Sequence, residues 1–157
     1  MQIMSEKYEE KMLKAFIGKS DFDRDTYFWY LEAFKPYRDD NTTSAKWKWS
    51  WWGFFLGFFF LAYRKAYMAS IIVLIITLVL SLLIPYGEII IAIFTGGYSN
   101  YFIYNVYLAK KLKIEKLVSD EGERIEIMRK RGGYNRWIIF LPLGILSAAI
   151  IISMLAS

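Results

Sequence analysis

Residues Trp47 to Tyr67 read W-K-W-S-W-W-G-F-F-L-G-F-F-F-L-A-Y-R-K-A-Y, and the placement of this stretch decides how the rest of the chain is arranged. Wound as a helix at about 1.5 Å per residue, its uncharged interval between Lys48 and Arg64 falls short of a hydrocarbon core of about 30 Å. Trp47, Trp49, Trp51 and Trp52 bracket it on one side and Tyr63 and Tyr67 on the other. Such amphipathic rings favour a level where one end is apolar and the other wet. Residues 47–65 are therefore expected to form an interfacial or re-entrant aromatic helix at a membrane surface. Gly53 and Gly57 lie four apart, a GxxxG pattern that puts both on one helix face. That face suits packing against the chain's own helices or an oligomer contact.

The same run resembles the signature of a family of small bacterial membrane proteins known as domain of unknown function twenty-six twenty-eight. That signature is a Trp, a Phe-rich run with Gly, a Pro, a Trp, and then Tyr-Arg-Lys-Met-Tyr. Trp51, Phe54, Phe55, Gly57, Tyr63, Arg64, Lys65 and Tyr67 match it, while Phe58 stands for Pro, Phe60 for Trp and Ala66 for Met. The resemblance implies a short helical module ahead of the stretch and two or three hydrophobic segments after it. It implies no reaction.

The totals of the chain agree with a membrane reading. Of 157 residues, 56% are apolar and 19% aromatic, more than a domain with a charged surface ordinarily carries. The apolar residues are bunched: residues 66–109 hold a single charge, Glu88, and residues 137–157 hold none. The expected fold is an all-α integral membrane protein with three transmembrane helices, a hairpin of 66–86 and 88–109 and a C-terminal span of 137–157. No cysteine and no histidine are present, which removes disulfides, thiolate chemistry and the commonest base and metal ligand.

Residues 1–46 read as a cytoplasmic two-helix module with a linker. Ser5 is placed to cap a helix with Tyr8, Met12, Ala15 and Phe16 on one face, and Gly18 to stop it. A second helix is expected from Asp23 to Tyr37, with Tyr27, Tyr30, Leu31 and Phe34 at i, i+3, i+4 and i+7 on one face, ended by Pro36 and the polar run after it. Asp21, Asp23, Asp25 and Glu32 fall at positions 1, 3, 5 and 12 of a calcium-loop window. Thr26 replaces the glycine such a loop needs at position 6, so helix capping and dipole complementation by these acids is the better reading, and no cofactor or metal is assigned.

Within the second expected span, Thr95, Gly96, Gly97, Ser99, Asn100, Tyr104 and Asn105 are a polar and small-residue load that should face protein. Gly96, Gly97, Asn100 and Asn105 are candidate packing or oligomer contacts; Asn100, Tyr104 and Asn105 could instead line a solute path in an oligomer. Residues 110–136 form a basic connection, with Ser119 as a helix cap and Gly132-Gly133 as a stop.

Arg64, Lys65, Lys110, Lys111, Lys113 and Arg136 are candidate contacts to anionic lipid, although positive charge beside span ends also serves topology. Eleven Lys and Arg in residues 1–65 and nine in 110–136 make up all twenty, so the positive-inside rule places both segments in the cytoplasm. The chain would then be a multi-pass protein of a bacterial inner membrane, N-terminus cytoplasmic and C-terminus periplasmic or extracellular.

The inventory holds no phosphate loop and no paired intramembrane carboxylates, which argues against an enzyme. Topology accounts for the pI of 9.3 without nucleic acid. The expectation is a non-catalytic interaction, scaffold or accessory subunit, with membrane lipids and a homo-oligomer or partner subunit as partners. A small solute- or lipid-handling oligomer is the alternative.

Overall fold

The computed structural model describes residues 2–18, 24–38 and 45–141, with 144, 147, 151 and 154 beyond them. Its described residues are helical, with no strand among them: α1 (Gln2–Ile17), α2 (Arg24–Arg38), α3 (Trp51–Leu56), α4 (Phe58–Tyr63), α5 (Tyr67–Leu83), α6 (Gly87–Leu117), α7 (Glu121–Arg131) and a 3-10 turn at Arg136–Ile139.

The spine is α6, whose 31 residues extend about 46 Å. Its middle carries tyrosines at 98, 101, 104 and 107, a ridge with a period of three. Tyr101 and Tyr104 meet Tyr37 of α2 at ring-centroid distances of 5.8 and 5.4 Å. Phe34 of α2 meets Tyr104 at 5.3 Å, and Phe16 of α1 meets Tyr107 at 5.2 Å. The apolar faces read from the sequence thus become the core: Met12, Ala15, Phe16, Tyr30 and Phe34 are buried, together with Ile103, Ile114 and Met128. α1 and α2 pack onto the same core as α6 and α7.

Local boundaries differ from expectation in instructive ways. Gly18 does stop α1, at φ 84 and with its N–H on the Lys14 carbonyl, but the helix begins before Ser5, which lies inside it. Pro36 sits within α2 instead of ending it. Asp120, not Ser119, caps α7, its carboxylate accepting from the Glu123 N–H at 2.8 Å. The reversal after α5 closes with the Gly87 N–H on the Ile84 carbonyl at 3.0 Å, and Tyr86 takes the left-handed conformation at φ 62.

The aromatic stretch is not one helix. Residues 47–50 run beside α6, Ser50 caps α3 by accepting from the Gly53 N–H, and the chain breaks at Gly57 before α4. Gly57 has φ 49 and ψ −122, a conformation that side-chain-bearing residues avoid, so the break falls where glycine permits it. The GxxxG face is therefore divided. A Cβ on Gly53 would lie 2.8 Å from the Thr95 carbonyl oxygen and closer still to the Ser99 hydroxyl, whereas one on Gly57 would meet nothing within 4 Å. Gly53 serves close approach within this chain.

The three-pass threading is corrected. Among the described residues no helix is long and apolar enough to cross a membrane. At 17 residues, α5 reaches about 25 Å, under the span of about 30 Å. α6 is long enough, but the polar group from Thr95 to Asn100 lies in its middle and is buried against protein. Residues from 142 onward, most of the expected third span, lie outside the described residues except at the four positions above. The inner-membrane placement and the sidedness built on it fall with the threading.

Replacing Gly53 with Ala tests the α3–α6 approach. The extra methyl must displace α6 backbone, so thermal or urea unfolding should show a loss of about 1–3 kcal/mol, typical of overpacking.

Candidate functional site

Two places gather polar chemistry around the Trp-rich stretch. At the first, the extended segment 47–50 lies on the glycine face of α6. The Lys48 N–H donates to the Gly97 carbonyl at 3.0 Å, the Ser50 N–H donates to the Gly96 carbonyl at 2.7 Å, and Asn100 Nδ2 donates to the Lys48 carbonyl at 3.2 Å. Two helix carbonyls are reachable because Gly96 and Gly97 present no side chain. The Trp49 and Trp47 rings fill the space: Cβ atoms on these glycines would lie 3.0 Å and 2.5 Å from them. Thr95, Ser99 and Asn100 are fully buried, as expected of residues that face protein. Asn100 is thereby a packing residue, while Asn105 is only half-buried. Tyr104 is occupied by Phe34, Tyr37 and Tyr107.

The tryptophans and tyrosines read as one interfacial belt take separate roles. Trp47, Trp51 and Trp52 are exposed and Trp49 is half-buried in a cluster with Trp47, Trp51 and Phe54. Tyr63 stacks on Tyr134 at 5.1 Å, and its carbonyl accepts from the Asn135 N–H at 2.8 Å. The Tyr67 hydroxyl accepts from Asn135 Nδ2 at 3.3 Å.

The second place is the junction that Arg64 and Lys65 enter. α4 ends there: Lys65 takes φ 60, and the Ala66 N–H returns to the Leu61 carbonyl at 2.8 Å. This turn sends the two side chains to the carbonyl ends of α1 and α7, which meet where the Gly133 N–H donates to the Phe16 carbonyl at 2.6 Å. Arg64, only 4% exposed, donates from Nη1 to the Ile17 carbonyl at 3.5 Å and lies 4.5 Å from the Tyr30 ring centroid. Lys65 Nζ donates to the Gly132 carbonyl at 2.5 Å and Lys110 Nζ to the Arg131 carbonyl at 2.8 Å. Cations at helix C-termini complement the dipole.

Burial, reinforced by Lys65, Arg64 and Arg131, pushes the Lys110 ammonium down to about 8. Burial also raises the Tyr27 and Tyr37 phenols to about 12.

The six basic residues do not form one surface. Lys111 pairs with Glu9 and, at 3.8 Å, with Glu115; Lys113 is exposed; and Arg136 bonds the Tyr134 hydroxyl at 3.2 Å. Arg64, Lys65 and Lys110 alone converge. Of the calcium-like set, Asp25 and Glu32 lie two turns apart on α2, and Asp21 and Asp23 fall outside the described residues. Among the described residues no group of three acids could hold a metal.

Sequence reasoning missed the tyrosine ridge on α6, although its spacing of three is visible at 98, 101, 104 and 107. It also missed that Gly96 and Gly97 receive a backbone segment, for which the tryptophans flanking Lys48 were the available signal.

These features define an all-helical protein built by docking a Trp-rich segment on a glycine-bearing helix and closing the helix ends with an Arg-Lys pair. A family comparison matches residues 9–118, from within α1 to just past α6, to the family described as Protein of unknown function (DUF2628). The chain belongs to that family, as the Trp and Tyr-Arg-Lys residues imply. No curated protein and no solved structure matches it.

Two outcomes follow from this geometry. Asn100→Leu leaves the Lys48 carbonyl without its side-chain donor and should cost about 1–3 kcal/mol in thermal unfolding. Lys110 loses its proton in the fold near pH 8 but in the unfolded chain only near 10.5, so its contribution to stability rises with pH across that window. The raised tyrosines act in the opposite sense: the stability they confer is full below 10 and is lost toward about 12. The melting temperature should climb from pH 8 toward 10 and fall beyond it, and Lys110→Gln should flatten the climb.

Proposed function

We propose that this protein is a non-catalytic interaction subunit whose apolar α5–α6 hairpin is covered by a partner subunit or by a second copy of the chain. The observation that carries this reading is the exposure of that hairpin. α5 buries only Ser70 and Val73, leaving Ile71, Ile72, Ile75, Ile76, Leu78, Val79, Leu82 and Leu83 outward, Leu82 at 87% exposure. Ile89, Ile90, Ile93 and Phe94 of α6 continue the surface. A dozen such side chains, each about half exposed, amount to on the order of 1,000 Å², beyond the roughly 300–600 Å² patch of a typical monomer. A standard interface takes about 800 Å² from each partner, so the hairpin alone is large enough for one.

The solute-path alternative has less support, because Asn100 and Tyr104 are spent on internal packing. The charged helices at the other end of α6 supply solubility and orientation rather than chemistry in this reading.

Native mass measurement of the purified full chain should give a dimer or a complex with a co-purifying subunit. Ile75→Glu with Leu82→Glu should release the monomer without loss of helical circular dichroism. A wild-type chain that stays monomeric in solution overturns the reading. Flotation of the wild-type monomer with phospholipid vesicles would assign the hairpin's occupant to lipid and overturn the protein partner.

A further inference from the structure

The Arg64 guanidinium is satisfied on one side only. Nη1 reaches the Ile17 carbonyl, and the Tyr30 ring covers the group with its hydroxyl close to the guanidinium, but Nε and Nη2 are both buried and no acceptor among the described residues meets them in hydrogen-bonding geometry. Those two atoms carry the parallel pair of N–H bonds that forks onto two oxygens of one oxyanion. Leaving such an edge buried and unmatched is costly. The surrounding charge points the same way. Among the described residues, the charged groups that shift Lys110 are all positive, namely Lys65, Arg64 and Arg131, while Glu9 and Glu115 are engaged by Lys111. Lys65 and Lys110 are partly exposed, while Arg64 beside them is buried.

We propose that the Nε/Nη2 edge of Arg64, flanked by Lys65 and Lys110, is a binding site for a phosphate monoester group, borne by a soluble phosphate ester or by a phosphatidic acid headgroup. The charge arithmetic selects phosphate over a carboxylate. Four cations lie at the junction; Arg131 is exposed and screened by solvent, the other three converge, and the carbonyl ends of α1 and α7 offset about half a charge each, which leaves about two positive charges. A phosphate monoester carries roughly 1.5 to 2 negative charges near neutral pH, a carboxylate only one. The lysines retain their helix-end carbonyls while adding field at the anion, and the Arg64 fork fixes its orientation.

Inorganic phosphate titrated into the full chain, against sodium chloride at matched ionic strength, is the direct test. The expected results are a phosphate-specific rise in melting temperature and a shift of the Arg64 Nε–H resonance in nuclear magnetic resonance spectra. Lys110→Gln, which keeps the fork, should weaken binding by about tenfold, and Arg64→Lys, which keeps charge but removes the fork, should abolish it. Because Arg64→Lys also disturbs a buried residue, the Nε–H shift in wild type and in Lys110→Gln decides the matter where that variant does not fold. Phosphatidic acid vesicles that bind and are released by free phosphate make the headgroup the source; phosphate binding without vesicle binding makes it a soluble ester. A wild-type chain with neither a phosphate-specific response nor vesicle binding overturns the site, as does binding that both variants leave unchanged.

Discussion

Three hydrogen bonds between an extended backbone and a helix hold this molecule's centre: Lys48 N–H to the Gly97 carbonyl, Ser50 N–H to the Gly96 carbonyl, and Asn100 Nδ2 to the Lys48 carbonyl. A helix ordinarily hides its carbonyls behind side chains, and only paired glycines let a second backbone reach them. Once the segment is seated, Ser50 caps α3, Gly53 brings α3 onto Thr95 and Ser99, and the break at Gly57 redirects the chain into α4. The Arg64 and Lys65 turn then reaches the ends of α1 and α7. Each step depends on the one before, so the packing of sequence-distant helices traces back to two missing side chains on α6.

Much of the helical framework was legible because it rests on local rules. Helical periodicity marked the buried face of α1 and α2, Gly18 marked a stop, and the Tyr-Arg-Lys run marked the family. The seating of residues 47–50 was not legible, since an aromatic run reads alike whether its rings meet lipid or glycine; what separates the two is the tertiary partner 50 residues away. Arg64 and Lys65 were read as a surface pair for the same reason. Charge predicts exposure until a helix end supplies carbonyls to receive it, and Arg64 is buried where Ile17 does so.

The apolar hairpin shows the opposite limit. Its composition argued for membrane passes, but composition fixes only that the surface avoids water. Helix length and the position of the polar group decide what the surface can do, and here α5 is short and the middle of α6 is taken up by its own chain. The Arg64 junction lies at the charged end, among helix termini from both halves of the sequence, and so is chemically distinct from the hairpin.

The separation of Lys48 from Asn100 also governs how the protein is made. The tryptophan segment leaves the ribosome some 52 residues before the last of its receptor. At about 5–20 residues per second the indole rings wait roughly 3–10 s with nowhere to sit. During that interval the nascent chain offers its greasiest surface to whatever is nearby, which places its risk of aggregation, and its need for chaperone cover, before α6 exists.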